Sequence, residues 1–243
     1  MNYLDIHSHV LPAVDDGAKD IEASIALLKM MQSQGVTHVI ATPHFYPDTD
    51  SAEDFLERVS DSFFKLRSEA DINNLPHIFL GCELRYFRGI SKSNSINQFA
   101  IRGTNYLLLE LPYGEAITKS VLQDITNIYE ESGLMPILAH IERYYKVSGY
   151  KKLLKLIADG YALGQINAGG VISKEEGKLC EKLIKGGYVS FLASDAHSVE
   201  HRPPLIKEAL SHITERFGKS AANRLIIKSN KLLEEIEECA VKV

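Results

Sequence analysis

The chain alternates short apolar runs, rich in β-branched residues, with longer segments of helical periodicity. Several runs are apolar almost throughout, which is typical of strands covered on both faces. Seven strands are predicted, over residues 3–7, 36–44, 77–84, 106–112, 135–140, 161–167 and 188–195. Repeated strand–helix–strand units without a long low-complexity linker predict an α/β fold with a parallel sheet, and seven of them favour a closed, TIM-like barrel.

The clearest helix lies between the first two strands. Asp20 can cap its N-terminus, and Glu22 falls in the first turn, where the helix dipole favours an anion. An apolar stripe follows at helical spacing and consists of Ile21, Ile25, Leu28 and Met31. Gly35 is expected to end this helix. We expect residues 88–104 to be a polar, irregular surface excursion and the tail from Lys219 to form one or two helices.

Length and composition narrow the class of protein. With 243 residues, 45% of them hydrophobic, the chain can bury one core, so we expect one domain, 1–243, with 219–243 as a helical tail. The apolar segments near the N-terminus predict neither a signal peptide nor a membrane-spanning helix. Three cysteines without CxxC spacing favour a cytoplasmic location. A net charge of -5 argues against nucleic-acid binding.

Histidines and carboxylates collect at the C-terminal ends of the predicted strands, the face on which α/β barrels build active sites. These residues are His7, His9, His44, Glu83, Glu110, His140, Asp195 and His197. Residues i and i+2 of a strand point the same way, so each of the pairs His7/His9 and Asp195/His197 can bind one ion. A buried set of such groups is costly unless metal ions neutralise it, so the sequence predicts a metal centre.

The remaining histidines and two arginines are interpreted separately. His38, His77 and His212 are assigned structural roles, whereas the role of His201 stays open. Arg143 and Arg202 each follow a metal-ligand motif by a few residues, in predicted loops. Their planar guanidinium groups suit phosphate oxygens, so we expect both to bind phosphate.

A competing signature for cysteine-dependent tyrosine phosphatases lies in "GCELRYFRG", where Cys82 and Arg88 have the spacing C-x5-R. A loop of that kind wraps backbone N–H groups around phosphate and favours small residues, whereas this one contains a glutamate and two aromatic residues. Strand alternation also sends Cys82 to the face opposite Glu83. We therefore interpret Cys82 as a small buried residue beside a metal ligand.

Taken in order, the motifs "DIHSHVLPAVDDG", "ATPH", "GCEL", "LLLELP", "AHIER" and "ASDAHS…HRPP" resemble the polymerase and histidinol phosphatase (PHP) superfamily. Within it they are most similar to the manganese-dependent protein tyrosine phosphatases of bacterial capsular and exopolysaccharide operons. The resemblance covers nearly the whole chain. It implies a distorted seven-stranded (β/α) barrel, the PHP type of barrel, with three metal ions at the strand C-termini.

The resemblance also implies a ligand set for each ion. The ligands of the first ion would be His7, His9, Glu83 and Asp195. Those of the second would be Glu110 and His140, with Glu83 bridging, and those of the third would be Asp16, His44 and His197. Asp16 matches the family pattern and Asp15 does not. Arg143 and Arg202 match its phosphate-contacting arginines.

The implied activity is hydrolysis of phosphotyrosine on proteins, with the autophosphorylated tyrosine kinase that controls polysaccharide synthesis or export as the expected partner. The resemblance specifies manganese, whereas the ligand chemistry alone also suits iron or zinc. His197 and an ordered water are both candidates for the general acid. The alternatives are a PHP phosphatase for a small metabolite such as histidinol phosphate, a PHP exonuclease, which the acidic chain disfavours, and a non-catalytic metal-binding partner of a kinase.

Overall fold

Nine short parallel strands form the framework of the protein in the computed structural model, which describes residues 3–93 and 95–241. The strands are β1 (Leu4–Ser8), β2 (His38–Ala41), β3 (His44–Phe45), β4 (His77–Leu80), β5 (Glu83–Arg85), β6 (Tyr106–Glu110), β7 (Met135–Leu138), β8 (Leu163–Asn167) and β9 (Phe191–Ala193). All pair in parallel, which confirms the predicted parallel sheet. Residues 1, 2, 94, 242 and 243 of the expected domain lie outside the described residues.

Interruptions in two predicted strands account for the difference between seven predicted strands and nine observed segments. The predicted strand 36–44 is split into β2 and β3 on either side of Thr42 and Pro43, and Pro43 has no N–H to donate to a neighbouring strand. The predicted strand 77–84 is split into β4 and β5 on either side of Gly81 and Cys82. The breaks divide the sheet into the orders β1-β2-β4 and β3-β5-β6-β7-β8-β9.

The first and last strands of the chain lie side by side. The N–H of Asp195 donates to the carbonyl of His7, and the N–H of His9 donates to the carbonyl of Ala196, each at 2.9 Å. Ser8 and Ala196 form a parallel bridge between these two bonds. The curled sheet therefore brings the "DIHSH" motif beside the "ASDAH" motif, although most of the chain separates them.

Helices cover the outside of the sheet. They are α1 (Ile21–Ser33), α2 (Ala52–Ile72), α3 (Lys119–Ser132), α4 (Tyr150–Ala158), α5 (Ala168–Ile172), α6 (Gly177–Lys185), α7 (Ile206–Phe217) and α8 (Lys219–Val241). The predicted cap of α1 is confirmed, because the Asp20 side chain accepts the N–H of Ala23 at 2.8 Å. Gly35 follows the helix end with a φ of 87°. None of the described helices is both long enough and apolar enough to cross a membrane.

The terminal helix α8 buries one of its faces against the sheet. Its residues Leu232, Leu233 and Ile236 are buried against inward-facing strand residues that precede the ends of their strands. These strand residues are Leu4, Ile6, Ile40, Leu108, Ile137 and Phe191. This apolar layer fills the interior of the curled sheet toward the N-terminal ends of the strands. The polar residues that include His7 and His9 therefore lie at the C-terminal ends.

The expectation that residues 88–104 form a surface excursion is wrong. The segment is irregular, with 3₁₀ turns over Ile90–Lys92 and Ile96–Phe99, but Ile90, Ile96 and Phe99 are buried. The ring of Phe99 stacks on that of Phe45 with centroids 4.4 Å apart. Within the described residues no α-helix lies between β5 and β6, and these few apolar side chains cover the sheet there.

Candidate metal centre

The residues predicted to bind metal converge where the strands end. His44 and Glu83 are directly paired between β3 and β5, and Glu110 is the last residue of β6. His7 lies on β1 and His9 just beyond it, while His140, Asp195 and His197 follow β7 and β9. Most of the set is buried, so the fold gathers imidazoles and carboxylates away from solvent. Asp16 is more exposed and joins them from the loop after β1.

The first group consists of four donor atoms, Nε2 of His7, Nε2 of His9, Oε2 of Glu83 and Oδ1 of Asp195. Each imidazole atom lies 3.1–3.4 Å from both carboxylate oxygens, and the two imidazole atoms are 3.3 Å apart. Donors at this spacing surround a point roughly 2 Å from each of them, which is a normal metal–nitrogen or metal–oxygen bond length.

Glu83 is the residue that connects the groups. Its Oε2 atom also lies 3.0 Å from Nδ1 of His44, and its Oε1 atom lies 3.0 Å from Nε2 of His140. The same His140 atom is 3.5 Å from Oε1 of Glu110. The second group of donor atoms found in the structure consists of His44, Glu83 and Glu110, so it contains His44 where the resemblance implies His140. His140 borders this group through its contacts with Glu83 and Glu110. One carboxylate therefore faces two neighbouring positions.

The third group lies nearer to solvent. Oδ1 of Asp16 is 3.3 Å from Nε2 of His197 and 3.6 Å from Nε2 of His44. Donor atoms of His9, Asp16, His44 and His197 all lie within 4.8 Å of one another. Of the pair Asp15/Asp16, Asp16 supplies a donor atom to this group, whereas Asp15 contacts Nδ1 of His9.

Unsatisfied atoms provide the test of whether these residues fit metal ions. Among the described residues, Oε2 of Glu83, Oδ1 of Asp195 and Nδ1 of His44 are buried and have no hydrogen-bond partner. Leaving a buried acceptor unpaired costs about 1–3 kcal/mol, and more for a charged group. All three atoms belong to the groups described above, and divalent cations held by these groups would satisfy them. The donor set fits divalent metal ions.

Protonation states follow from the same geometry. Burial opposes ionisation of Glu83, but the imidazoles of His7, His140 and His44 outweigh it and hold its pKa well below the usual range. Burial, reinforced by Arg143, lowers the pKa of His140. Burial also lowers the pKa of His197. Ionised carboxylates and neutral imidazoles are the forms that bind metal.

The pKa values of His7 and His9 shift in the opposite direction to those of His140 and His197. Burial lowers their affinity for a proton, but Glu83, Asp195 and, for His9, Asp15 more than offset this effect and raise both pKa values. In the absence of a cation, protons at these two imidazoles compensate the buried carboxylates. Metal ions would therefore compete with protons at the first group.

Sequence reasoning missed the side chains that orient the imidazoles. The Nδ1 atoms of His9, His7 and His140 lie 2.6, 3.2 and 3.3 Å from oxygen atoms of other side chains. The three acceptors are, in the same order, Asp15, Gln165 and Tyr144. Each contact allows Nδ1–H to point outward and leaves Nε2 free to face the centre. Gln165 and Asn167 are polar residues two apart on β8, a signal that could have identified them.

Both predicted arginines contact Asp195. Oδ2 of Asp195 accepts from Arg143 at 3.0 Å, from Asn167 at 2.6 Å and also from Arg202. Arg202 additionally lies 2.8 Å from Nε2 of His197. The other oxygen of Asp195 faces the first group, so the two guanidinium groups border the metal ligands at the partly exposed rim.

The backbone is strained at three residues of this rim. His140, Asp195 and Arg202 have φ values of 34°, 52° and 58°. The left-handed region is unfavourable for residues other than glycine, and such strain clusters at functional sites. His140 and Asp195 adopt this conformation two residues after β7 and β9 end, and Arg202 adopts it in the loop before α7.

The cysteine signature does not form a phosphate loop. Cys82 is 2% exposed and packs in the apolar core. Burial and the neighbouring Glu83 raise the pKa of its thiol well above the usual range, whereas a nucleophile needs the thiolate. The interpretation of Cys82 as a buried residue beside a ligand is confirmed.

The histidines assigned to structure lie elsewhere. The rings of His38 and His77 stack with centroids 5.3 Å apart at the opposite strand ends. His212 lies 3.1 Å from Glu181 on the helical surface. His201 is exposed, and its backbone forms a turn with Ser198. None of the three metal-binding groups found among the described residues includes any of these four histidines.

Comparison with known proteins identifies a matching family and several similar relatives. Residues 3–234 match the family described as capsular polysaccharide synthesis, CpsB/CapC. CapC from Staphylococcus aureus is 34% identical over 84% of this chain and 81% of its own length. The tyrosine-protein phosphatase CpsB from Streptococcus agalactiae is 30% identical over 93% of this chain and 96% of its own length.

A solved structure matches the whole fold. It comes from work on YwqE from Bacillus subtilis and CpsB from Streptococcus pneumoniae, which are described as metal-dependent tyrosine phosphatases. The two folds superpose with a TM-score of 0.84 at 27% identity, covering 96% of this chain and 94% of the other.

Proposed function

The chain belongs to the CpsB/CapC family of capsular polysaccharide synthesis, and from this membership we propose that it is a metal-dependent phosphatase that hydrolyses phosphotyrosine on proteins. The observation that carries the proposal is the convergence of His7, His9, Glu83 and Asp195 on one point, with buried acceptors that lack partners. The S. agalactiae relative and the solved neighbour are both named as tyrosine phosphatases.

We assign three metal ions to the centre. The first is held by His7, His9, Glu83 and Asp195. The second is held by Glu83, Glu110 and His140, and the third by Asp16, His44 and His197. The contacts of Glu83 with His7, His44 and His140, at 3.0–3.1 Å, support its bridging role. When bound, divalent ions supply Lewis acidity, since they activate water as a nucleophile and neutralise charge on a phosphoryl group. We propose Mn²⁺ as the native ion; mixed imidazole and carboxylate ligands also accommodate iron or zinc.

Arg143 and Arg202 bind the phosphoryl oxygens in this proposal. Their contacts with one oxygen of Asp195 hold both guanidinium groups beside the metal ligands. Fixed donors directed at developing negative charge are a large part of catalysis in such sites. No residue would have to form a covalent intermediate, because the bound ions would supply an activated water as the nucleophile.

His197 is assigned as a ligand and not as the general acid. Its Nδ1 atom lies 3.0 Å from the carbonyl oxygen of Asp195 and donates to it, so the lone pair is on Nε2, where Arg202 donates at 2.8 Å. A metal ion held by His197 would replace that contact with Arg202. The lowered pKa of His197 also favours the neutral ligand form. A tyrosine phenolate, with a free pKa near 10, leaves more easily than an alkoxide, so water can protonate it.

We propose further that the nine strand segments represent the seven strands of a distorted PHP barrel in one domain. Counting β2 with β3 and β4 with β5 gives seven, and hydrogen bonds join β1 to the segment after β9. A tyrosine kinase that controls polysaccharide synthesis in the cytoplasm is the proposed phosphoprotein partner. The family description, which concerns capsular polysaccharide synthesis, supports this choice.

The substrate class is tested by comparing kcat/KM of the Mn²⁺-loaded protein for a phosphotyrosyl peptide, a phosphoseryl peptide of the same sequence and histidinol phosphate. We expect the phosphotyrosyl peptide to be preferred by at least about tenfold over the phosphoseryl one, because its leaving group is more acidic. A preference for histidinol phosphate would instead identify a metabolite phosphatase. Absence of turnover with all three substrates would indicate a non-catalytic metal-binding protein.

A further inference from the structure

A second polar row lies one step beyond the metal ligands on the same face of the sheet. In β5, Arg85 is two residues after Glu83, so the two side chains point the same way. Arg85 is paired with Glu110 of β6, and Tyr46 follows β3 beside it. Tyr46 and Arg85 therefore lie one step beyond His44 and Glu83, and Arg85 borders the metal ligand Glu110.

Arg85 is held in place without a direct ion pair. Its guanidinium carbon lies 5.5 Å from the ring centroid of Tyr46, which is a cation–π contact. The Tyr46 ring in turn stacks on His44, with centroids 5.1 Å apart and an angle of 25° between the planes. In the described part of the chain, the guanidinium group of Arg85 has no ion-pair partner within 4.0 Å and no hydrogen bond.

Tyr46 can fix Arg85 without competing for its donors. The phenol ring of Tyr46 carries no charge near neutral pH. A stack on a neutral ring occupies one face of the guanidinium plane and leaves the N–H groups at its edge available. Five N–H donors in a fixed fork match the oxygens of a phosphate group.

We propose that Arg85 is a third phosphate-binding arginine, positioned by Tyr46 and reaching the substrate from the wall of the site opposite Arg143 and Arg202. This inference rests on the proposed function, because it concerns the same phosphoryl group. Arg143 and Arg202 follow β7 and β9, whereas Arg85 lies on β5 next to β3. With cations on both sides, a phosphoryl group over the metal ligands is enclosed by donors.

The test measures binding of inorganic phosphate to the Mn²⁺-loaded protein by calorimetry and, in parallel, as inhibition of p-nitrophenyl phosphate hydrolysis. Arg85→Gln should weaken phosphate binding roughly tenfold or more, the usual effect of losing a charge-assisted hydrogen bond. Arg85→Lys should recover part of that loss. Tyr46→Leu should weaken binding in the same direction, whereas Tyr46→Phe should retain it because the ring remains.

Arg88→Gln is the matched control, since Arg88 is an exposed arginine three residues further along. It should bind phosphate as the unmodified protein does. Metal content measured for each variant should be unchanged. Unaltered phosphate affinity in Arg85→Gln would overturn the proposal, and so would a loss of bound metal that accounts for the weaker binding. Calorimetry detects phosphate binding even if phosphotyrosine is not hydrolysed, so failure of the proposed function is distinguishable.

Discussion

Nδ1 of His9 lies 2.6 Å from Oδ2 of Asp15, and this contact directs the other imidazole nitrogen, Nε2, at Glu83 and Asp195. The same Asp15 oxygen accepts the backbone N–H of His44 at 3.0 Å. One carboxylate thus orients a ligand of the first group and fixes the backbone of a ligand of the third. Asp15 and Asp16 are adjacent in sequence, but Asp15 orients His9 whereas Asp16 supplies a donor atom to the third group.

Replacing Asp15 by asparagine should weaken metal binding by about 10–100-fold, the usual effect of removing a side chain that orients a metal-bound histidine. The amide still fits the space but is a weaker acceptor for Nδ1–H of His9. Metal affinity is measured by competition with a chelator of known affinity, and activity is measured at saturating metal.

Asp20→Asn is the control for this variant. Asp20 caps α1 through the N–H of Ala23, and asparagine caps helices about as well as aspartate. Metal affinity should not change in Asp20→Asn. Equal losses in the two variants would contradict a specific role for Asp15.

Glu83→Gln should weaken metal binding at more than one group, because a neutral amide cannot replace a carboxylate that faces several imidazoles. We expect fewer bound ions and at least about a 100-fold loss of activity, more than for a residue that only orients a ligand. The increase in unfolding free energy on adding metal, about 2.7 kcal/mol at 100 times the dissociation constant, should shrink. Glu181→Gln, which alters a surface carboxylate paired with Arg216, should behave like the unmodified protein.

Cys82→Ala should retain metal content and nearly full turnover. The thiol is buried, its raised pKa disfavours the thiolate, and it packs among apolar residues. Iodoacetamide should likewise leave the activity of the native protein unchanged. Loss of turnover in Cys82→Ala that retains its metal would instead support the cysteine mechanism.

The stacked pair His38/His77 predicts a pH effect on stability away from the metal ligands. Burial and the neighbouring His77 lower the pKa of His38, although Glu237 acts in the opposite direction. The unfolded chain then binds more protons than the folded one below the ordinary histidine pKa of about 6.5, so stability falls as pH decreases through that range.

His77→Gln should reduce this pH effect, because it removes the charge that opposes protonation of His38. The free energy of unfolding of the metal-free protein is measured in urea at pH 5.5 and 7.5, for the variant and for the native protein. The two proteins share the same metal ligands, so the contribution of those ligands to the pH dependence cancels in the difference between them. An identical pH dependence in both proteins would show that His77 has no such effect.

The sequence was most informative where local spacing decides geometry. The i and i+2 rule places His7 with His9 and Glu83 with Arg85 on common strand faces, and the cap at Asp20 was visible from residue type. The same rule places Arg85 on the face of Glu83, but no role for Arg85 was predicted from the sequence. Strand breaks at Pro43 and Gly81 were not predicted, since they depend on which neighbour each half strand pairs with.

Contacts between distant parts of the chain were less accessible. Gln165 and Tyr144 orient His7 and His140 through contacts that depend on how neighbouring strands are packed. Residues 88–104 looked like an exposed loop because their composition is polar, yet a few spaced apolar side chains are enough to bury the segment. Pattern alone does not show which apolar residues of an irregular segment meet the core.

The most direct test of the central claim is the hydrolysis of a phosphotyrosyl peptide by protein stripped of metal with a chelator and then titrated with Mn²⁺, while bound metal is counted by elemental analysis. Metal-free protein should be inactive, and activity should return as the three proposed positions fill, with Asp16→Asn retaining fewer ions than the native protein. Full activity in protein verified to contain no metal would contradict the account.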